Sequence, residues 1–339
     1  MRAVVLMRNG GPEVLEVREH PSPTPGPGEV RVAVKAAGLN FAEVAARQGL
    51  YPDAPPKPCV VGYEVAGVVS ALGEGVTDHA EGDRVLALTR FGGHAEEVVL
   101  PQGQALRMPD RMSFTEGAAI PVNYLTAHHM LFHIGRVHPD STVLLHMAAG
   151  GVGTAVLQLL STVEGVSIFG TASAPKHDYL RELGCDHPID YRTEDYAEVV
   201  TRVTEGRGVD IVLDPLGGMD WRKGLRLLAP AGRLVAFGFA NMIQGERRSL
   251  WRALTQLLRV PRFTPIAAME HNRGLQGVNM GHLWDESAML LQQLERLMEL
   301  YEEGVVRPNV HAEVPFDRAG EAHTMLESGA NRGKVVLVP

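Results

Sequence analysis

Ala148, Ala149, Gly150, Gly151, Val152 and Gly153 follow an apolar run, Thr142 to Met147, and precede the spaced apolar residues Val156, Leu159 and Leu160. This order reads as strand, glycine turn and helix. Such a turn lets backbone N–H groups and the positive end of a helix close on an anion that side chains would otherwise hold away. The chemistry it suits is the grip of a dinucleotide pyrophosphate, with Ala149, Gly150, Gly151, Val152 and Gly153 lining it. The usual glycine triad has Ala148 in its first place, and similar turns occur with no ligand, so the loop alone does not decide.

The kind of dinucleotide is legible one strand later. NAD sites commonly place a carboxylate there for the ribose 2′-hydroxyl, whereas this chain continues Gly170, Thr171, Ala172, Ser173, Ala174, Pro175, Lys176. Hydroxyls and an ammonium without a carboxylate favour a 2′-phosphate, and therefore NADPH. Thr171, Ser173 and Lys176 are the expected cofactor residues here, with Tyr191 as a further donor. Read more plainly, Ser173 is a helix cap and Lys176 a solvated surface charge.

The elements that must position these groups follow from the pattern downstream. Val166–Gly170, Ile189–Tyr191, Val209–Asp214 and Leu234–Gly238 read as second to fifth strands, separated by helical sequence. Repeated units of this kind specify a doubly wound parallel sheet. The first 120 or so residues differ in texture: short β-like runs at Val30–Val34, Val65–Val69 and Arg84–Leu88 are broken by glycine and proline, most densely from Pro21 to Gly28. A partly closed β-barrel fits them better than parallel strands. A long amphipathic helix, Glu286 to Tyr301, and a closing strand, Lys334 to Val338, are expected to return to that barrel. The division is thus 1–123 with 282–339 for the barrel domain and 124–281 for the cofactor domain.

A chain of 339 residues with 37 glycines accommodates two such domains, and a net charge of −8 provides no global field for nucleic acid. Cys59 and Cys185 are the only cysteines, which excludes a disulfide framework and a four-cysteine zinc site. The apolar start, Met1 to Leu6, is too short for a signal peptide, and no run is long enough to span a bilayer, so a cytoplasmic setting is expected. His128, His129 and His133 have helical spacing but no assignable third ligand. Asp190, Asp210 and Asp214 read as capping or turn residues at strand ends, and His146 as a packed histidine beside the glycine turn.

Across essentially its whole length the chain resembles the medium-chain dehydrogenase/reductase superfamily, in the zinc-free quinone oxidoreductase branch that includes zeta-crystallin. The motifs are Ala36–Phe41, Gly62–Gly67, Gly82–Val85, Ala148–Gly153, Gly170–Lys176 and Gly333–Val336. Within the branch, Asn40–Glu43, Arg47–Tyr51, Val122–Tyr124 and Asp214–Gly218 are most similar to the vesicle amine transport protein homologues. The resemblance implies a GroES-like barrel carrying catalysis, a Rossmann cofactor domain, and a homodimer formed through the cofactor domains. Zinc enzymes of this superfamily use cysteine where Asn40 stands, histidine at Tyr63 and a further cysteine near Val122, and the residues present cannot assemble that site. Without a metal, hydride addition to a conjugated system stays feasible because charge delocalises onto a distant oxygen. Quinones and α,β-unsaturated carbonyls are the implied acceptors.

The same resemblance assigns Asn40 to the nicotinamide ribose or the substrate oxygen, although an asparagine before a helix is also an ordinary turn residue. Tyr51 is similar in position to the proton-donating tyrosine of enoyl thioester reductases; its plainer reading is a pocket wall. Tyr63 is a further catalytic candidate or a lining aromatic, and Thr126, Phe237, Gly238 and Asn331 are implied cofactor contacts. One segment fits less easily. Arg247 to Arg262 carries five arginines, with Leu250, Leu254, Leu257 and Leu258 on one stripe, which suits a packed helix, a lid, a partner or an anionic membrane surface. An NADPH-binding adaptor or membrane-associated protein with little turnover is therefore the alternative to a reductase.

Overall fold

The computed structural model describes residues 1–243 and 249–339. They divide into two units, Met1–Leu125 with Gly281–Pro339, and Thr126–Ile243 with Ser249–Met280. Arg247 and Arg248 of the basic segment lie outside the described residues.

The first unit opens with β1 (Arg2–Leu6), β2 (Leu15–Glu19), β3 (Glu29–Leu39), α1 (Phe41–Gln48), β4 (Cys59–Val60), β5 (Glu64–Leu72), β6 (Arg84–Leu88), β7 (Glu97–Pro101) and β8 (Ala105–Arg107). α2 (Phe114–Gly117) and α3 (Pro121–His128) follow. β3 alternates inward Val30, Val32 and Val34 with outward residues, then runs buried to Leu39. Its alternating part pairs with β7, its buried end with β16 (Lys334–Val338), and β5 runs along most of its length. Register shifts near Arg31 and Val34 bend it, so the strands close around a core of Val30, Val32, Val65, Val69, Val85 and Leu100. This is the GroES-like barrel, flanked by a small sheet in the order β2-β1-β4.

The second unit contains β9 (Thr142–Leu145), α4 (Gly151–Leu160), β10 (Ser167–Ala172), α5 (His177–Glu182), β11 (His187–Asp190) and α6 (Tyr196–Val203). β12 (Val209–Asp214), α7 (Met219–Leu227), β13 (Leu228–Ala236), α8 (Leu250–Leu258), α9 (Pro265–His271) and β14 (Gly274–Gly277) complete it. The sheet order is β11-β10-β9-β12-β13-β14, every neighbouring pair parallel. Val143–Leu145 and Ile211–Leu213 are buried without alternation, as strands covered by helices on both faces must be. This is the expected Rossmann-like sheet, with two departures. The fifth strand was expected at Leu234–Gly238, whereas β13 begins at Leu228 and ends at Ala236, which leaves Phe237 and Gly238 beyond it; its ladder spans Pro230 and Gly232 with a register shift. β14 was not expected at all, because Gly-Leu-Gln-Gly has no strand pattern and is held by its pairing with β13.

α3 passes into a π-helical stretch, His129–Ile134, where the His129 and His133 rings stack at 4.8 Å. The chain returns to the first unit through α10 (Ser287–Glu302), β15 (Val310–Pro315), α11 (Ala319–Glu327) and β16 (Lys334–Val338). β16 lies between β15 and β3, so the last strand completes the sheet around residues near the start.

Candidate functional site

In the second unit, β9 ends at the point where strand order reverses, the crevice in which parallel sheets bind ligands. Met147 takes a left-handed conformation (φ 54°), Ala148 N–H donates to Thr171 O at 3.0 Å, and Gly150 N–H donates to Met147 O at 2.9 Å. The turn is thereby fixed on both sides. Gly150 then stands at the start of α4 with no side chain capping it. A Cβ on Gly153 would lie 2.3 Å from Ala148 O, so only glycine lets the helix start this close to the turn. These backbone groups fit a pyrophosphate: the first-turn N–H donors are uncapped and the glycines leave them open.

At the end of β10, the Thr171 hydroxyl is turned inward, 3.1 Å from His146 Nδ1 and accepting Met147 N–H at 3.3 Å. Thr171 thus braces the turn and is itself buried. Ser173 opens a short turn through Lys176, both partly exposed. Pairing of Ala172 with Asp190 brings the end of β11 beside them, with Tyr191 exposed and the Arg192 guanidinium over its ring at 5.8 Å. Arg192 was missed in the sequence, where its only signal is adjacency to Tyr191. No carboxylate stands between Thr171 and Lys176.

Asp214, wholly buried, accepts the N–H groups of Leu216 (2.6 Å) and Gly217 (3.1 Å), and burial raises its pKa. It is a turn residue, as its position at a strand end suggested. Phe237 N–H donates to Asp214 O at 3.1 Å, which holds Phe237 and the exposed Gly238 at the same edge of the sheet. His146 is buried against the Tyr196 ring, and burial lowers its pKa. Thr126 is buried within α3.

In the first unit the sequence residues lead to a denser polar cluster than expected. Asn40 Nδ2 donates to Glu64 Oε1 at 2.9 Å, and Lys334 Nζ donates to Asn40 Oδ1 at 2.6 Å. An ammonium only donates and a carboxylate only accepts, so the two neighbours fix which way the carboxamide points. Lys334 also pairs with Glu64 Oε1, and Glu64 Oε2 accepts the Val122 N–H at 2.6 Å. All three side chains are buried. Gly38 makes room, because a Cβ there would meet Glu64 Oε1 at 2.4 Å. Removing one partner of a buried ion pair typically costs about 3–5 kcal/mol, so each member of the cluster depends on the others.

Glu43, one turn into α1, accepts the Asn40 N–H at 3.0 Å. Burial pushes its carboxyl up to about 8, against the pull of Lys334. His94 Nε2 lies 3.2 Å from Gly38 O and 3.9 Å from Glu43 Oε1, and burial pushes it down to about 4. Burial thus favours the neutral form of both Glu43 and His94.

Tyr51, half-buried, meets buried Tyr63 edge-on at 6.1 Å, and Tyr63 packs against Phe91 at 5.1 Å. Burial raises the pKa of both phenols. Asn331 Nδ2 donates to Gly333 O at 2.8 Å, shaping the entry to β16. Glu43, Glu64, His94 and Lys334 were missed as site residues, although Gly62-Tyr63-Glu64 and Gly333-Lys334 stood among the motifs.

Among the described residues no group of three or more histidine, cysteine, aspartate or glutamate side chains is arranged to hold a metal ion, and no helix is long and apolar enough to cross a membrane.

Residues 26–110 match the family model of the alcohol dehydrogenase GroES-like domain, and residues 183–337 that of zinc-binding dehydrogenase. The synaptic vesicle membrane protein VAT-1 homolog of Rattus norvegicus is 44% identical over 341 residues, covering 100% of this chain and 84% of that protein. Among solved structures, the human VAT-1 homolog-like protein matches with a TM-score of 0.86 at 34% identity, over 100% of this chain and 98% of that one. Quinone oxidoreductase of Escherichia coli, solved with NADPH, matches with a TM-score of 0.88 at 29% identity over 100% of both chains.

Proposed function

The chain belongs to the medium-chain dehydrogenase/reductase superfamily, in its quinone oxidoreductase-like branch, and from that premise we propose that it is a zinc-independent, NADPH-dependent reductase of quinones or α,β-unsaturated carbonyls. The observation that carries this reading is the uncapped start of α4 at the glycine turn, beside a β10 end that holds Ser173 and Lys176 and no acid. Bound there, NADPH supplies a hydride.

The N–H groups of Gly151, Val152 and Gly153 hold the pyrophosphate. Ser173, Lys176, Tyr191 and Arg192 hold the 2′-phosphate, and Thr171 keeps the turn in place. Thr126, Phe237, Gly238 and Asn331 complete the cofactor contacts. Asn40 retains one amide N–H beyond its bond to Glu64, and that donor orients the ribose or the acceptor oxygen. Tyr51 donates the proton that follows hydride addition, with Tyr63 behind it. Asn40, Tyr63 and Val122 stand where a zinc enzyme of this superfamily needs ligands, which supports chemistry on conjugated acceptors rather than on alcohols. The domain limits fitting these roles are 1–123 with 282–339 for catalysis and 124–281 for the cofactor.

Paired titrations with NADPH and NADH, then NADPH oxidation against quinones, enals and enones in the presence of a chelator, test the reading. Chelator-resistant, acceptor-dependent oxidation is expected. Lys176→Glu should weaken NADPH at least ~10-fold, about 1.4 kcal/mol, while changing NADH less than about twofold. Equal losses would refute the 2′-phosphate assignment.

A second reading rests on a different observation: Trp251, Leu258, Ile266 and Met269 are each 75% exposed. It is that of an NADPH-binding protein which docks a partner or membrane surface through 249–271 and turns over little. Tight NADPH binding with no acceptor-dependent oxidation would favour it.

A further inference from the structure

We propose that Asp220 and Asn241 are positioning residues of the cofactor site: together they hold the Phe237–Gly238 edge on which the nicotinamide half of NADPH rests. This rests on the cofactor reading above, and every residue it uses lies in the second unit.

The order of the sheet says which half of the cofactor that edge would meet. Ser173, Lys176 and Tyr191 stand at the ends of β10 and β11, and the glycine turn follows β9. β12 and then β13 come next, on the other side of β9. A dinucleotide with its 2′-phosphate at β10 and its pyrophosphate at α4 therefore reaches the ends of β12 and β13 with its other half.

At that edge the chain leaves the sheet. β13 stops at Ala236, and after Phe237 and Gly238 the backbone forms one short helical turn, Ala240–Met242. The loop after β12 holds this segment. Ala240 N–H donates to Pro215 O at 2.8 Å, and Asn241 N–H donates to Leu216 O at 3.0 Å. The Asn241 carboxamide adds two more bonds, because Nδ2 donates to Gly217 O at 3.1 Å and to Asp220 Oδ2 at 2.8 Å. Both of its amide hydrogens are thereby engaged. The Phe239 ring stacks on Trp221 with centroids 5.0 Å apart, and a Cβ on Gly217 would stand 1.9 Å from that ring. Gly217 has φ 82° and Gly218 φ 63°, a backbone that glycine adopts without strain, and this lets the two loops lie so close. The Asp214–Gly218 motif is thus the bed on which the Phe237–Gly238 edge is laid.

Asp220 has a plainer reading, since a carboxylate in the first turn of α7 suits the positive end of any helix. Its bonds argue for more. Oδ1 accepts the Tyr196 hydroxyl at 2.8 Å and Oδ2 accepts from Asn241, so each oxygen holds a side chain from outside α7. Tyr196 packs its ring edge-on against His146 at 4.6 Å, and His146 Nδ1 lies 3.1 Å from the Thr171 hydroxyl that braces the glycine turn. Asp220 therefore ties the Phe237–Gly238 edge to the framework that holds the pyrophosphate turn.

Adenosine 2′,5′-bisphosphate keeps the 2′-phosphate and lacks the nicotinamide half, so it separates positioning from folding. Asp220→Ala removes both acceptors, and Asn241→Asp sets a second carboxylate against Asp220. In calorimetric titrations each should weaken NADPH ~10-fold or more and leave the bisphosphate within about twofold. Lys176→Glu, by contrast, should weaken both ligands. The double variant Asp220→Asn, Asn241→Asp again sets a donor opposite an acceptor and should bind NADPH more tightly than Asn241→Asp alone. Either single variant decides the test if the other fails to fold. Unchanged NADPH affinity, or equal losses of NADPH and the bisphosphate, would overturn the inference alone. A wild-type protein that binds neither ligand would overturn the cofactor reading and this inference together.

Discussion

Asn40 illustrates what a single residue can and cannot disclose. As a sequence position it offered two readings, a helix-starting asparagine or a ligand to the ribose, and it does stand at the start of α1. What the sequence hid is that its carboxamide is clamped by Glu64 and by Lys334, 294 residues away. No local pattern announces a pairing of that range. Thr171 is similar: a hydroxyl at the end of a strand suggested a phosphate ligand, and only the fold shows it spent on Met147 and His146. The buried acids have a consequence for stability as well. Glu43, raised to about 8 from 4.5, binds a proton in the folded state that the unfolded state has released, so its contribution falls as pH rises through that window. His94, lowered to about 4 from 6.5, contributes stability above pH 6.5 that is lost as pH falls toward 4. Melting temperature followed against pH should therefore decline less steeply between about 4.5 and 8 in Glu43→Gln than in the wild type. Parallel curves would mean that Glu43 is ionised when folded.

Elements were most legible where burial is continuous. β9, β10 and β12 lie where the apolar runs placed them, within a residue or two at most ends, and the glycine turn follows β9 as expected. Boundaries failed where the backbone, rather than the side chains, specifies the strand: at β13, which crosses Pro230 and Gly232, and at β14, which is made by its ladder. The start of α4 is the element on which the cofactor reading depends. Gly153→Ala would set a Cβ against the Ala148 carbonyl, a backbone atom that cannot swing aside, so turn or helix must move. NADPH affinity should fall at least ~10-fold in a calorimetric titration while far-ultraviolet dichroism stays near that of the wild type. Unchanged affinity would place the pyrophosphate elsewhere.

At the scale of the molecule, charge and apolar surface are unevenly distributed. The chain carries −8 overall, yet residues 249–273 hold four arginines and one glutamate. The same stretch carries Trp251, Leu254, Leu257, Leu258, Ile266 and Met269, the densest exposed apolar group among the described residues. Surfaces of this kind are normally covered by something. If the covering surface is a second copy, sedimentation equilibrium should give twice 36.7 kDa, and a Trp251→Ser, Leu258→Ser double variant should shift the chain toward monomer. An unchanged dimer that has lost affinity for anionic vesicles would assign the patch to a lipid surface instead.

The placement of β16 between β15 and β3 also bears on how the protein is made. Glu64 emerges from the ribosome 270 residues before Lys334, the ammonium that joins it in the barrel. The described residues of the cofactor unit, 126–243 and 249–280, by contrast, all precede residue 281, so that unit can form while synthesis continues. Throughout that interval the barrel lacks both its closing strand and the countercharge of its buried acid. A nascent chain stalled before residue 334 would consequently present an open strand edge along β3 and a Glu64 carboxylate that must stay in water, a species for chaperones to shield and proteases to find.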